Sequence, residues 1–218
     1  MTRPVREGAE RATLDGLIGR YPALSPIRGE IERGFRLLAE TYDRGGKLLL
    51  CGNGGSCADA DHMAGELNKG FLKRRPLSPD VAAALSALGE EGAGLSGRLQ
   101  SGLPAIPLQL PATQTAAQND LGGDAAFAQQ VIALGARGDA LVGISASGNA
   151  ANVRLAALAA RAAGLRVLAL TGAGGGLLAG RADVAIRVPE TEVYRIQELH
   201  LPVYHALCAM LEERYFEA

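Results

Sequence analysis

Five short apolar runs, separated by segments of helical periodicity, constrain the fold of this chain more than any other feature. They are bounded by Gly, Pro or polar residues and span 47–51, 105–110, 140–144, 166–170 and 184–188. They are mostly apolar on both faces, as the strands of a parallel sheet covered on both sides are. Between and after them, helical patterns occupy residues 57–70, 124–135, 149–163 and 192–216. This alternation predicts a doubly wound α/β sandwich.

A further helix is predicted before the first run, over residues 26–44. Ser25 is expected to cap it, Pro26 to lie in its first turn, and Gly45-Gly46 to end it. We therefore expect an N-terminal helical region, residues 1–46, packed on a domain formed by residues 47–218.

The stretch from Leu72 to Gly102 fits the alternation less well. It begins as a basic turn, continues as an Ala-rich helix from Asp80 to Leu88, and becomes polar and rich in glycine. Because it is long for a connection, we expect it to cap one end of the sheet or to reach a neighbouring subunit.

Composition excludes several classes of protein. A length of 218 residues fits one large domain. A net charge of −1 and an aromatic content of 4% argue against nucleic acid as the main partner. No apolar stretch reaches the ~20 residues of a membrane helix, and the charged N-terminus lacks a signal run. Three cysteines are too few for a disulfide framework, so the cytoplasm is the expected location.

A glycine-rich turn, Gly52-Asn53-Gly54-Gly55-Ser56, links the first apolar run to the next helix. Glycines let the backbone approach a ligand closely, and the amides at a helix start favour an anion. The turn matches neither the Walker A pattern nor the dinucleotide fingerprint. The alternative is a tight strand-to-helix turn that binds nothing.

A second turn, Ser145-Ala146-Ser147-Gly148-Asn149, repeats this arrangement after the run at 140–144. Helix capping by Ser147 or Asn149 would explain it without a ligand, although both roles can coexist. Two such turns favour a phosphate site, because open α/β sheets bind ligands at the carboxyl ends of their strands.

Acid–base and metal candidates lie in two helical segments that hold all three histidines of the chain. His62 and Glu66, four residues apart, share a helix face and could bind a divalent ion or act on a substrate; an exposed pair is the alternative. Gln197 and His205 are eight residues apart, about 12 Å along a helix. Their convergence would need a kink at Pro202 or contributions from different subunits.

Several motifs follow one another along the chain: GNGGS, His62 with Glu66, Asn119-Asp120, SASGN, and the RIQELH segment with His205. In this order they resemble the motifs of the SIS (sugar isomerase) domain family, and more narrowly those of its phosphoheptose isomerases. The resemblance implies a three-layer α/β/α fold with a five-stranded parallel sheet, assembled as a homotetramer. It also implies an enzyme that converts sedoheptulose 7-phosphate to a D-glycero-D-manno-heptose 7-phosphate through an enediol.

Site residues follow from the same resemblance. It implies Glu66 as the base, His205 as the acid, and a zinc ion held by His62, Glu66, Gln197 and His205. We expect the phosphate between Ser56, Ser145 and Ser147. The full set of expected substrate contacts is Asn53, Gly54, Gly55, Ser56, Glu66, Asn119, Asp120, Ser145, Ala146, Ser147, Asn149 and Gln197.

Some residues depart from the family pattern or lie outside it. Ala150 stands where the family's second turn usually has a serine, and His200 is interpreted as structural. The basic run of Lys69, Lys73, Arg74 and Arg75 could attract a phosphorylated sugar, but a solvated surface is the favoured interpretation.

The competing hypothesis is a non-catalytic SIS module. Such a module would bind a protein partner, such as a replication-initiator-associating factor, or would sense a sugar phosphate. It would keep the serine turns without needing Glu66 and His205, so their joint presence favours the enzyme.

Overall fold

The computed structural model describes residues 8–109 and 111–217 and contains one five-stranded parallel sheet. Its strands are β1 (Leu48–Cys51), β2 (Ala105–Pro107), β3 (Ala140–Ile144), β4 (Arg166–Thr171) and β5 (Val184–Arg187). Their order across the sheet is β2-β1-β3-β4-β5. The predicted doubly wound fold is confirmed. The predicted strand at 105–110 ends at Pro107, and Leu110 lies outside the described residues.

The helices cover both faces of the sheet. They are α1 (Ala9–Arg20), α2 (Arg28–Asp43), α3 (Gly55–Asn68), α4 (Pro79–Ser86), α5 (Glu90–Ser96), α6 (Pro111–Leu121), α7 (Ala126–Leu134), α8 (Ala151–Ala162), α9 (Gly176–Ala179) and α10 (Val193–Tyr215). None of those within the described ranges is long and apolar enough to span a membrane.

Alternation along the strands divides the core into two layers. Leu48 and Leu50 of β1 face the layer that contains α1, α2, α3 and α10, whereas Leu49 and Cys51 face the layer of α7, α8 and α9. All four side chains are fully buried. Both faces of β1 are therefore apolar, because neither face meets solvent.

The N-terminal region differs from the prediction. Ser25 and Pro26 lie in a 3₁₀ turn, Pro22–Ile27, and α2 begins only at Arg28, so the predicted cap at Ser25 is wrong. The helix α1 was not predicted, because its many polar residues obscure the apolar pattern of the helix. It nevertheless buries Leu14 and Leu17 against the core. Residues 1–7 of this region lie outside the described part.

The long helix α10 is covered by its own chain. It packs against α1, α2 and α3, and it continues through Pro202. Val203, Leu207, Met210 and Leu211 are buried within the single chain, whereas Leu201 is exposed. The four buried residues therefore need no second subunit to cover them.

The stretch 72–102 does not cap the sheet within the described chain. Its helices α4 and α5 pack on each other, and large apolar residues such as Leu88 remain exposed. The basic run that begins it is not simply solvated: Arg75 is fully buried, and its Nε donates to Glu212 Oε1 at 2.8 Å. The stretch is thus tied to α10 at its start.

Candidate active site

The two serine turns lie side by side at the carboxyl ends of β1 and β3. The chain runs from β1 to the edge strand β2 and then returns to β3 on the other side of β1, so the direction of winding reverses between β1 and β3. Crevices in open α/β sheets form at such a reversal. A reciprocal amide pair joins the first turn to the start of α8: Asn53 Nδ2 donates to Asn152 Oδ1 at 2.8 Å, and Asn152 Nδ2 donates to Asn53 Oδ1 at 2.9 Å.

A pocket of about 180 Å³ opens between the turns. Its walls combine polar and small apolar side chains: Asn53, Ser56, Ile144, Ser145, Ala146, Ser147, Ala150, Val193 and Gln197. Both α3 and α8 begin at this pocket, and the backbone N–H groups of the first turn of a helix favour an anion. The pocket therefore has the size and polarity of a phosphate site, with no cationic side chain in its wall.

Gly55 lies where α10 crosses the first turn. A Cβ added to Gly55 would stand 2.6 Å from Gln197 Nε2. Gln197 thus lies directly over the start of α3, and a larger residue at position 55 would push it out of the pocket.

Asn149 has a structural role in the second turn. Its backbone N–H donates to Ser147 Oγ at 3.1 Å, and its Oδ1 accepts from the Leu177 N–H at 3.1 Å. Gly148 adopts a φ of +66° beside the backbone of Gly175. These contacts hold the turn against the loop before α9.

A second cluster lies further along α3, where His62, Glu66 and His205 meet. His62 Nε2 is 3.3 Å from Glu66 Oε1 and 3.4 Å from His205 Nε2. Burial lowers the pKa of the His205 imidazole, and the neighbouring His62 lowers it further. Lys69 Nζ stands 3.4 Å from Glu66 Oε2, so the carboxylate also has a cationic neighbour.

Two unpredicted residues lie on the other side of His62, where Tyr204 contacts it and Asp59 contacts Tyr204. The Tyr204 hydroxyl lies 3.0 Å from His62 Nδ1 and 3.3 Å from Asp59 Oδ1. Burial raises the pKa of Asp59, whereas the Tyr204 hydrogen bond and the charge of His62 lower it. The sequence gives a weak indication of Asp59, because it precedes His62 by almost one helical turn and so lies near the same helix face. For Tyr204 and Asn152 the sequence gives no indication except that each lies near a predicted site residue.

Two predicted contacts lie elsewhere in this chain. Asn119 and Asp120 are exposed on α6, where Asn119 Nδ2 donates to Asp120 Oδ1 at 2.7 Å, and neither lines the pocket between the turns. His200 is fully buried in α10, away from the cluster. The remaining predicted residues lie in the two turns or in the cluster, except Gln197 of α10, which lines the pocket between the turns.

The donor set can be tested against the geometry of zinc. Within 8–109 and 111–217, no three His, Cys, Asp or Glu side chains are gathered as a metal site. Two ligands bound at about 2.0–2.1 Å to one tetrahedral ion stand about 3.3 Å apart, and two pairs of side chains can be compared with this spacing. The His62–Glu66 and His62–His205 separations match this spacing. Gln197 lies with the serine turns instead.

Comparison with known proteins identifies the family of this chain. A family model for the SIS domain matches residues 24–172. The phosphoheptose isomerase of Rhodospirillum rubrum is 40% identical over 192 residues, which cover 88% of this chain and 86% of that protein. The phosphoheptose isomerase of Sodalis glossinidius is 42% identical over 184 residues, 84% of this chain and 82% of that protein.

Solved structures extend the agreement to three dimensions. The phosphoheptose isomerase of Neisseria gonorrhoeae superposes with a TM-score of 0.71 at 34% identity, covering 95% of this chain and 97% of that one. The enzyme of Francisella tularensis gives a TM-score of 0.73 at 29% identity, with 94% and 96% covered. The chain therefore belongs to the SIS domain family, and within it to the phosphoheptose isomerases.

Proposed function

We propose that this isomerase converts sedoheptulose 7-phosphate to a D-glycero-D-manno-heptose 7-phosphate. Its relatives are named phosphoheptose isomerases, and that name gives the substrate class. The observation that carries the proposal is that α3 joins two sites. Its first turn supplies Ser56 to the phosphate pocket, and its later turns carry His62 and Glu66. Six residues of helix separate Ser56 from His62 by about 9 Å, which suits a substrate with phosphate at one end and carbonyl at the other.

Glu66 and His205 would divide the proton transfers of the reaction. Glu66 would take the proton from C1, and the released electron pair would form the C1=C2 double bond of an enediol. His205 would supply the proton that C2 gains, while the hydroxyl proton moves from O1 to O2. Solvent would then return both side chains to their starting states.

A zinc ion is part of the proposal, held by His62, Glu66, His205 and Gln197. The separations of His62 from Glu66 and from His205 support it, and Gln197 would have to reach from the serine turns. When bound, such an ion would polarise the carbonyl oxygen and stabilise the negative charge of the enediolate. The protein's own part is to hold two imidazoles and a carboxylate at one end of the substrate.

We also propose a homotetramer in the cytoplasm. Apolar residues left exposed on α6 and α7, such as Leu121 and Ile132, support burial against other copies of the chain. The cysteines Cys51, Cys57 and Cys208 are all free, which agrees with a reducing compartment.

The decisive experiment is an isomerase assay on sedoheptulose 7-phosphate, with and without a chelator. We expect turnover that the chelator removes and that zinc restores. The competing SIS binding module predicts sugar phosphate binding without turnover, and that outcome would reject the proposal.

A variant tests the base directly. Glu66→Gln keeps the shape of the side chain but removes its basicity, so turnover should fall by ~10²–10⁴-fold while substrate still binds. Glu91→Gln removes an exposed carboxylate of α5 and serves as the matched control, with turnover expected to equal that of the wild type. Turnover of Glu66→Gln close to that of the control would exclude Glu66 as the base.

A further inference from the structure

Tyr204 places one hydroxyl between two side chains of α3. Its oxygen lies 3.0 Å from His62 Nδ1 and 3.3 Å from Asp59 Oδ1. The side chain is fully buried, and its ring packs edge-on against His62 and His205 at centroid distances of 5.6 and 5.0 Å. The ring therefore fixes where the hydroxyl points.

Counting protons on the Asp59 side of Tyr204 favours one direction for both hydrogen bonds. The phenol of Tyr204 has one proton, and an ionised carboxylate can only accept. Asp59 Oδ2 is buried without a hydrogen bond from the described residues, so Tyr204 is the donor that the carboxylate has there. If the phenol donates to Asp59, its lone pair must accept from His62, and Nδ1 must carry the imidazole proton.

The reverse direction leaves the site unsatisfied. If Tyr204 donated to His62 Nδ1, its oxygen lone pairs would face those of Asp59 Oδ1, and both carboxylate oxygens would lack a donor. A buried charge without hydrogen bonds is costly, which favours the first arrangement.

We propose that Tyr204, oriented by Asp59, is a positioning residue that holds His62 in the Nδ1-protonated tautomer and directs the free lone pair of Nε2 toward Glu66 and His205. This inference rests on the proposed function only in giving His62 a role at the site. Nε2 is the atom that lies 3.3 Å from Glu66 Oε1 and 3.4 Å from His205 Nε2. Its lone pair is what a metal ion or a proton donor there requires.

The tautomer can be read directly, without substrate or metal. The chain has three histidines, so two-bond ¹H–¹⁵N spectra of the imidazoles contain few signals, and His62→Gln assigns one set. Spectra of the full chain in chelator, at about pH 8 where an ordinary imidazole is neutral, should show His62 with Nδ1 protonated and Nε2 bare. In Tyr204→Phe, which removes only the hydroxyl, this preference should be lost.

Matched variants separate positioning from packing. Tyr215→Phe removes another phenol of α10 that donates to a carboxylate, at 2.8 Å from Asp43 Oδ1, and it should leave the His62 tautomer unchanged. Asp59→Asn gives Tyr204 a partner that can donate, which frees the phenol proton for Nδ1 and should move the His62 proton to Nε2. This second variant decides the matter even if Tyr204→Phe does not fold.

Zinc binding gives an independent measurement. Loss of a group that orients a ligating histidine typically weakens metal binding ~10–100-fold, and we expect this of Tyr204→Phe but not of Tyr215→Phe. Wild-type His62 protonated at Nε2, or a tautomer unchanged in both Tyr204→Phe and Asp59→Asn, would overturn the inference. An inactive wild-type enzyme with the expected tautomers would overturn the proposed function alone.

Discussion

Ala150 lies in the wall of the pocket between the serine turns, where a hydroxyl could reach a bound phosphate. Ala150→Ser should tighten the binding of sugar phosphates, because a hydrogen bond to a charged group contributes about 1.5–3 kcal/mol. Ala151→Ser places the same hydroxyl on the exposed first residue of α8 and is the control. Calorimetric titration with several sugar phosphates measures both; equal affinities would show that position 150 does not contact the phosphate.

His200 is a buried histidine whose charged form the fold disfavours. Burial lowers its pKa from 6.5 to about 4, although the backbone of Thr171 raises it slightly. Because the pKa of His200 is lower in the folded than in the unfolded state, the unfolded state takes up the proton first as the pH drops. His200 therefore does not reduce the free energy of unfolding above about pH 6.5, and it reduces it increasingly as the pH drops toward 4.

A variant isolates the contribution of His200 to acid sensitivity. The shift of about 2.5 pKa units corresponds to about 3 kcal/mol of stability lost between neutral pH and pH 4. His200→Phe cannot gain a proton, so its free energy of unfolding should fall by about that much less over this range. Urea unfolding of both proteins at several pH values tests this, and parallel pH profiles would contradict it.

At the scale of elements, a buried ion pair ties the stretch 72–102 to α10. The Glu212 carboxylate accepts from Arg75 Nε at 2.8 Å and from the backbone N–H groups of Phe71, Leu72 and Lys73 at 2.9, 2.7 and 3.1 Å. Arg75 in turn donates to the carbonyls of Leu67 and Glu66 at 2.7 and 3.1 Å. The pair therefore also holds the C-terminal end of α3, next to the catalytic candidates.

Removing one charge of this pair should be costly. Glu212→Gln leaves the Arg75 guanidinium buried without its counter-ion, and breaking a buried pair costs about 3–5 kcal/mol. Glu213→Gln, at the next residue, breaks the more exposed pair with Lys73 and should cost less than about 1 kcal/mol. The two denaturation midpoints measure the difference, and similar midpoints would mean that Glu212 stabilises little.

The elements that the sequence predicted are those whose own pattern determines them. The run at 140–144 is β3 residue for residue, because a strand buried on both faces must be apolar throughout. The helix α6 was missed, because its Ala, Thr and Gln residues show no apolar stripe and Ala117 alone is buried in it. The start of α2 was misplaced because Pro26, which suits the first turn of a helix, lies in the 3₁₀ turn that precedes α2.

The same distinction holds for the site. Both serine turns were predictable, since glycine and serine directly after an apolar run mark a strand-to-helix turn. The contact of Tyr204 with Asp59 was not, because 145 residues separate them and only the packing of α10 on α3 brings them together. The ion pair of Arg75 with Glu212 could not be predicted for the same reason.

For the whole molecule, the strand order explains why the site forms where it does. The reversal between β1 and β3 leaves a crevice that no connecting loop crosses, and α3 and α8 both start there. Since α10 is the last helix, it can return across the crevice and add Gln197 and His205 to residues of α3. One chain thus supplies both predicted proton carriers.

This single-chain arrangement makes a prediction about mixed oligomers. His62 contacts Glu66 within α3 and His205 across to α10, all in one chain. Glu66→Gln and His205→Ala should each be inactive, and a mixture with exchanged subunits should stay inactive, because every site then carries one lesion. If the two residues served one site from different chains, some mixed sites would be intact. Isomerase activity is measured after mass spectrometry has confirmed that subunits have exchanged. Wild type mixed into each variant is the positive control. Activity regained in the mixture of the two variants would place Glu66 and His205 of each site on different chains.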